Sequence, residues 1–183
     1  MMKQIMNPRT DEYLALKELV SSMDFAWFWN TDSVRDSDGN DSVNAIPFFN
    51  HTIIRRPLEA PDYVAYPKPY SQFVDISSVI IRQILQANSI SLNCVYRASV
   101  NLTLPQLTEN LHVKPHIDHE NLDHKNLLIY LNDADGDTVV CDDDYNVLSS
   151  ESPKEDKVII FEGMHYHYMP TTSRRMVFVC TFI

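Results

Sequence analysis

The chain is 183 residues long, 44% hydrophobic and 10% aromatic, with a formal net charge of −10. Length and composition suit one compact domain with a sizeable core and exclude a fibre or a disordered tail, and the acidic balance argues against a phosphate-backbone partner, so no nucleic-acid partner is expected. No stretch approaches a membrane span, the first ten residues lack the apolar core of a secretory signal, and Cys94, Cys141 and Cys180 show no C-x-x-C spacing; the expectation is a cytoplasmic protein with reduced core thiols and no membrane partner.

In chain order, "TDEYLALKELVSS" (10–22) opens on the cap-type residues Thr10 and Asp11 and spaces Leu14, Leu16, Leu19 and Val20 along a short helix. "MDFAWFWN" brings Phe25, Trp27, Phe28 and Trp29 together as a strand or an aromatic anchor, and the polar stretch 31–42, with its D-G pair, reads as a loop. Pro47, Pro57, Pro61, Pro67 and Pro69 forbid a helix across their span. Residues 71–88 then repeat Phe73, Val74, Ile76, Val79, Ile80, Ile84 and Leu85 at helical intervals and stop at Asn88. From residue 91 the pattern changes to short apolar runs, "SLNCVYRASVNLTL", "NLLIYLN", "DTVVC", "DKVIIFEG", "HYHYM" and "RRMVFVCTFI", which predict strands of a sandwich or barrel. The expected fold is mainly β with flanking helices: a single domain, 1–183, in which a helical and aromatic segment (1–90) supports a β core (91–183).

The polar stretch "KPHIDHENLDH" holds His116, Asp118, His119, Asp123 and His124 within nine positions of a chain with seven histidines. On a strand, His116 and Asp118 face the same way, because side chains alternate with period two. They can then offer one ion an imidazole nitrogen and a carboxylate oxygen, and "HYHYM" offers a third ligand in His165 or His167. Two histidines and one carboxylate with open positions opposite form the donor set of non-haem Fe(II) oxygenases. Taken alone, His116 and Asp118 read equally well as a solvated loop pair. His119, opposite in parity to His116, and His124, in the loop that follows, read as surface residues. His51 and His112 carry no pattern, and "CDDDY" (141–145) lacks the spacing and glycine of a calcium loop and reads as a solvated turn.

The region 91–183 resembles the catalytic core of the 2-oxoglutarate- and Fe(II)-dependent oxygenases, in particular the prolyl-hydroxylase-like branch and its small viral and marine-microbial members. The resemblance rests on ordered pieces: "YRASVNL", then "HID", then "LLIYLNDADGDTVV", then "KVIIFEGMHYHYMPTTSRRMVFVCTF". It implies a double-stranded β-helix, or jelly roll, and a dioxygenase that uses Fe(II), 2-oxoglutarate and O2, with ascorbate as an optional reductant. Such an enzyme hydroxylates a prime substrate, a protein side chain or a small metabolite, while 2-oxoglutarate becomes succinate; a viral origin would place it in the host cytoplasm. His116 and Asp118 match the proximal ligands. Arg175 matches the residue that pairs with the distal carboxylate of 2-oxoglutarate, Tyr130 a hydroxyl that assists it, and Asn101 and Thr103 line the cosubstrate pocket. Arg175 shares parity with Val177, Val179 and Thr181, and Arg174 with Met176 and Phe178; both faces are apolar, and the resemblance is what favours Arg175.

The distal histidine is ambiguous. Its distance from Phe161 and Gly163 favours His167, and its distance to Arg175 favours His165. The latter is preferred because it leaves "HYHYM" as a usable strand, with His167 then beside the cosubstrate. Two other classes remain open: a zinc hydrolase on the same triad, for which Tyr130 and Arg175 have no use, and a non-catalytic jelly-roll binding module.

Overall fold

The computed structural model describes residues 1–32, 46–57, 59–60, 63–64, 66–108 and 110–183. Most of the expected 31–42 loop therefore lies outside the described residues. The chain runs through β1 (Lys3–Ile5), α1 (Asp11–Ser21), β2 (Phe28–Asn30) and β3 (Phe48–Arg55), then the short strands β4 (Glu59–Ala60), β5 (Tyr63–Val64) and β6 (Lys68–Pro69), and α2 (Val74–Ala87). The second half contributes β7 (Val95–Thr103), β8 (Lys125–Tyr130), β9 (Thr138–Cys141), β10 (Val147–Glu151), β11 (Val158–Phe161), β12 (His165–His167) and β13 (Arg175–Phe182).

Among the described residues the strands form an eight-stranded antiparallel sheet in the order β1-β11-β8-β13-β7-β3-β2, with β6 beside β3, and a three-stranded sheet in the order β10-β9-β12. β4 and β5 pair in a separate two-stranded ladder, and the two larger antiparallel sheets with two helices make the jelly roll that the resemblance implies. β13 lies at its centre, between β7 and β8, and all eight of its residues are buried. A strand covered on both faces is apolar on both, which is why alternation alone left its register undecided. Met176, Phe178, Cys180 and Phe182 pack with Val100, Leu127 and Ile129 in the core that the helices cover. Val177 and Val179 pack the other way, with Leu128, Tyr130, Ile159 and Val140 of the small sheet.

Thr10 caps α1 by accepting a hydrogen bond from the Tyr13 amide, and the buried stripe is Tyr13, Leu16 and Val20. Leu14, expected on that stripe, is 39% exposed, because positions 13, 16 and 20 share the helix face that position 14 leaves. α2 begins three residues later than the expected 71 and buries Ile80, Ile81, Ile84 and Leu85 against the large sheet. Six strands carried no advance signal: the two-residue β4, β5 and β6 of the proline-rich segment, and three others. β1 is a three-residue edge, β3 lies in "FFNHTIIRR" beside the proline-rich segment, and β10 reads "VLSSE", whose polarity hides its pairing with β9. No helix among the described residues is long and apolar enough to cross a membrane. The "CDDDY" stretch is a turn in which Asp142 accepts hydrogen bonds from the amides of Asp144 and Asn146. The three cysteines are free, with Cys141 and Cys180 buried.

Candidate active site

Three strands of the large sheet turn alternate residues toward the small one. On β7 these are Arg97, Ser99, Asn101 and Thr103; in register they oppose Thr181, Val179, Val177 and Arg175 of β13, and beyond these stand Asn126, Leu128 and Tyr130 of β8. The space between the sheets is a cavity of about 730 Å³, mouth included, whose wall carries Arg97, Asn101, Thr103, His116, Asp118, Thr138, His165, His167 and Arg175. Apolar residues, among them Ile46, Phe48, Val113 and Met169, complete it.

His116 and Asp118 do not lie on a strand, as their spacing suggested. His116 forms a single bridge with His165, each amide donating to the other's carbonyl at 2.9 Å, and Asp118 follows in a bend. The bridge does what a strand would have done, bringing the imidazole of His116 to a centroid distance of 4.5 Å from that of His165. The His116 Nδ1 lies 2.9 Å from the Lys114 carbonyl and the His165 Nδ1 lies 3.1 Å from the Gly163 carbonyl. A carbonyl only accepts, so both rings carry their proton on Nδ1 and present the Nε2 lone pair, as metal-ligating histidines do. Burial holds both imidazoles below their ordinary range, His165 down to about 4, where the neighbouring His116 adds to the effect. Both are therefore neutral at physiological pH.

Asp118 Oδ2 stands 3.6 Å from His165 Nε2, while Oδ1 accepts from Arg97 Nη1 at 2.6 Å and Arg56 Nη2 at 2.7 Å. Burial alone would raise this carboxyl; Arg97, His165 and Arg56 outweigh it and hold the group well below the usual carboxylate range. It is an anion at any physiological pH. Two neutral imidazole nitrogens and one carboxylate suit Fe(II) in kind and number. Asp118 thus gives Oδ1 to the two arginines and keeps Oδ2 on the His165 side, and no group of three His, Cys, Asp or Glu side chains among the described residues is closed into a metal site.

The other end of the cavity is built around Thr138, whose Oγ1 accepts from the Tyr130 hydroxyl at 2.8 Å and from Arg175 Nη2 at 2.8 Å. Arg175 is 2% exposed, lies 5.5 Å over the Tyr130 ring, leaves its Nε without a partner, and makes no ion pair among the described residues. Burial pushes its pKa down and that of Tyr130 up. Arg174 is exposed. His167 pairs in register with Thr138 across β12 and β9 and lines the cavity between the two ends; burial and then the Arg175 charge hold it well below the ordinary histidine range. Thr103 lies opposite Arg175, and Asn101 opposite Val177, with its side-chain oxygen accepting from Ser99.

The structure thus groups His116, Asp118 and His165 at one end, Tyr130, Arg175 and Thr103 at the other, and His167 and Asn101 between. It corrects the reading of His119 as a surface residue. His119 is 2% exposed, because Asp118 and the bend after it fold inward, and its Nε2 meets the Thr181 hydroxyl at 2.8 Å. His124 is half-buried against the His119 ring, and His51 is buried among Phe25, Phe28 and Phe73. Arg56, Arg97 and Thr138 were missed. Arg97 was legible in principle, since it shares alternation with Asn101 and Thr103; nothing in the sequence marked Arg56.

No family model matches the sequence, nor does any curated protein. The fold is nonetheless that of the 2-oxoglutarate–Fe(II) oxygenases, prolyl hydroxylases among them. An oxidoreductase of that family from Burkholderia pseudomallei is similar at a TM-score of 0.68 and 13% identity, over 94% of this chain and 79% of that one. A prolyl hydroxylase from Trichoplax adhaerens, solved with a peptide fragment of the hypoxia inducible factor oxygen degradation domain, is similar at 0.61 and 12% identity, over 100% of this chain and 83% of that one. The α-ketoglutarate-dependent epimerase SnoN of nogalamycin biosynthesis is similar at 0.55 and 10% identity, over 100% of this chain and 77% of its own.

Proposed function

We propose that the chain is a 2-oxoglutarate- and Fe(II)-dependent dioxygenase that hydroxylates a prime substrate as 2-oxoglutarate is converted to succinate and CO2. The observation that carries this reading is Arg175: a guanidinium buried with no ion-pair partner among the described residues, facing a cavity whose opposite end offers two imidazole nitrogens and a carboxylate. Burying an unpaired charge costs several kcal/mol, and a ligand carboxylate supplies the missing partner. A zinc hydrolase on the same three ligands leaves that cost unexplained.

His116, Asp118 and His165 would hold the metal, which supplies binding of the keto acid and activation of O2. Arg175, oriented by Thr138, would pair with the distal carboxylate, and the Tyr130 hydroxyl, whose one proton Thr138 accepts in this structure, would assist by turning that proton to the carboxylate. His167, neutral and with Nδ1 facing the Tyr168 carbonyl at 3.2 Å, lines the cavity and would contact the keto-acid body, with Asn101 and Thr103 along the wall. Val177, Val179 and Leu128 keep that space apolar, which strengthens each polar contact made within it. The prime substrate, a protein side chain or a small metabolite, would enter past Ile46, Phe48 and Met169. Three free cysteines fit a reducing compartment such as the cytoplasm.

The test is succinate release from 2-oxoglutarate in the presence of Fe(II), O2 and ascorbate, first alone and then with pools of peptides and metabolites. Turnover is expected in the unaltered protein and absent from Asp118→Ala; equal turnover in both would remove the triad from the mechanism.

A further inference from the structure

Resting on that reading of the triad, we infer that Arg97, assisted by Arg56, is a positioning residue that makes Asp118 a one-oxygen ligand, occupying Oδ1 and reserving Oδ2 for the metal.

Asp118 needs such a device. A carboxylate on a strand is aimed by the pleat, but Asp118 sits in a bend after a one-residue bridge, so its backbone fixes its direction only loosely. What fixes it is a pair of guanidiniums converging on one oxygen, at 2.6 Å from Arg97 and 2.7 Å from Arg56. The other oxygen is left on the His165 side, at 3.6 Å from Nε2. The two arginines are not equivalent. Arg97 stands on β7, paired in register with Thr181 of the central β13 and one residue from the β3 ladder at Ala98, and its side chain is 19% exposed; Arg56 follows the end of β3 and is 45% exposed. A ligand held from a strand inside a sheet is placed more tightly than one held from a strand end. Arg97 also stands in the inward-facing row that ends in Thr103 opposite Arg175, so one strand carries the group that aims the metal carboxylate at one end and lines the cosubstrate pocket at the other.

A purely structural ion pair would stabilise the fold without shaping the metal site, and the two roles separate experimentally. Partners that orient metal ligands typically affect metal affinity 10- to 100-fold. Co(II), a spectroscopically visible substitute for Fe(II), is titrated into the protein, into Arg97→Gln and into Arg97→Lys, with affinity, the visible Co(II) absorption and the melting temperature recorded for each. Arg97→Gln is expected to bind Co(II) at least about tenfold more weakly and with an altered spectrum. Arg97→Lys, which keeps the charge but not the planar fork, should fall between it and the unaltered protein. Should Arg97→Gln fail to fold, Arg56→Gln serves: its exposed side chain makes it tolerant, and a weakening of about threefold with a smaller spectral change is expected. Unchanged or tighter Co(II) binding with an unchanged spectrum in a folded variant would overturn the inference, even if the melting temperature fell. Failure of the unaltered protein to bind Co(II) would overturn the triad reading and this inference with it, whereas equal binding by unaltered protein and variant overturns this inference alone.

Discussion

Replacing Arg175 by methionine should make the protein more stable and less able to bind 2-oxoglutarate. The buried guanidinium has one hydrogen bond, to Thr138 at 2.8 Å, one aromatic contact, at 5.5 Å to the Tyr130 ring, and no ion pair among the described residues. Desolvating such a charge costs several kcal/mol, of which those two contacts return roughly 2–3 kcal/mol. A methionine of similar reach fills the space without the charge, so a net gain of about 1–2 kcal/mol follows, or roughly 2–8 °C in melting temperature for a chain of this size. The same change removes the partner of the ligand's distal carboxylate, a loss of about 2–5 kcal/mol, or between 30-fold and several thousandfold in affinity. Melting the Co(II)-loaded proteins with and without 2-oxoglutarate reads both effects. At about 100 times the dissociation constant the unaltered protein should gain about 2.7 kcal/mol from the ligand, and the variant no more than about 0.9 kcal/mol at the same concentration. A variant that melts lower than the unaltered protein without ligand, yet gains as much from it, would show Arg175 to be a structural group and refute the reasoning.

Three further outcomes are expected. Tyr130→Phe removes one neutral donor and should weaken 2-oxoglutarate by about 1 kcal/mol, several-fold by titration calorimetry; a loss as large as that of Arg175→Met would contradict the division of roles. The metal-free protein should lose stability as pH falls below about 6.5. His165, held down to about 4, and His116 and His167, shifted in the same direction, leave the unfolded chain binding more protons across that window, with His165 alone contributing roughly 3 kcal/mol by pH 4. Asp118 and Asp156, both depressed, hold their stabilisation above the unfolded value of 3.8 and lose it below; urea midpoints that stay level between pH 7.5 and 5 would exclude the histidine contribution. Gly136 has φ +92°, and a Cβ there would stand 2.6 Å from the Tyr168 carbonyl oxygen, whereas Gly163, at φ +86°, has open space around it. Gly136→Ala should therefore cost clearly more than the roughly 1–2 kcal/mol of strain expected for Gly163→Ala, with equal melting temperatures counting against the packing argument.

The elements that the sequence pattern marked were α1, α2, β7, β8, β9, β11, β12 and β13, most of which bury one stripe or run continuously apolar. Those it missed obey other rules. β10 is half-polar and held by its partner, β1 is a short edge, and β3 is hidden by its nearness to prolines. At the site, His-x-Asp was recognised through a strand geometry that the chain does not use; the juxtaposition survives because the His116–His165 bridge substitutes for the strand. Polar cluster residues such as His119 looked solvated because nothing local says that a bend folds inward. Arg56 was illegible for a simpler reason: its role exists only through a contact with Asp118, 62 residues away.

On the proposed reading one cavity holds Fe(II) through His116, Asp118 and His165 and holds 2-oxoglutarate beside it through Arg175. The most direct test is to add Fe(II) and then 2-oxoglutarate to the protein without air and to follow the weak visible charge-transfer band of the chelate. A band that saturates at one equivalent of iron, requires 2-oxoglutarate, survives in His167→Ala with weakened keto-acid affinity, and vanishes in His165→Ala is the predicted result. Absence of the band in the folded, unaltered protein, or its loss in His167→Ala with retention in His165→Ala, would contradict the account.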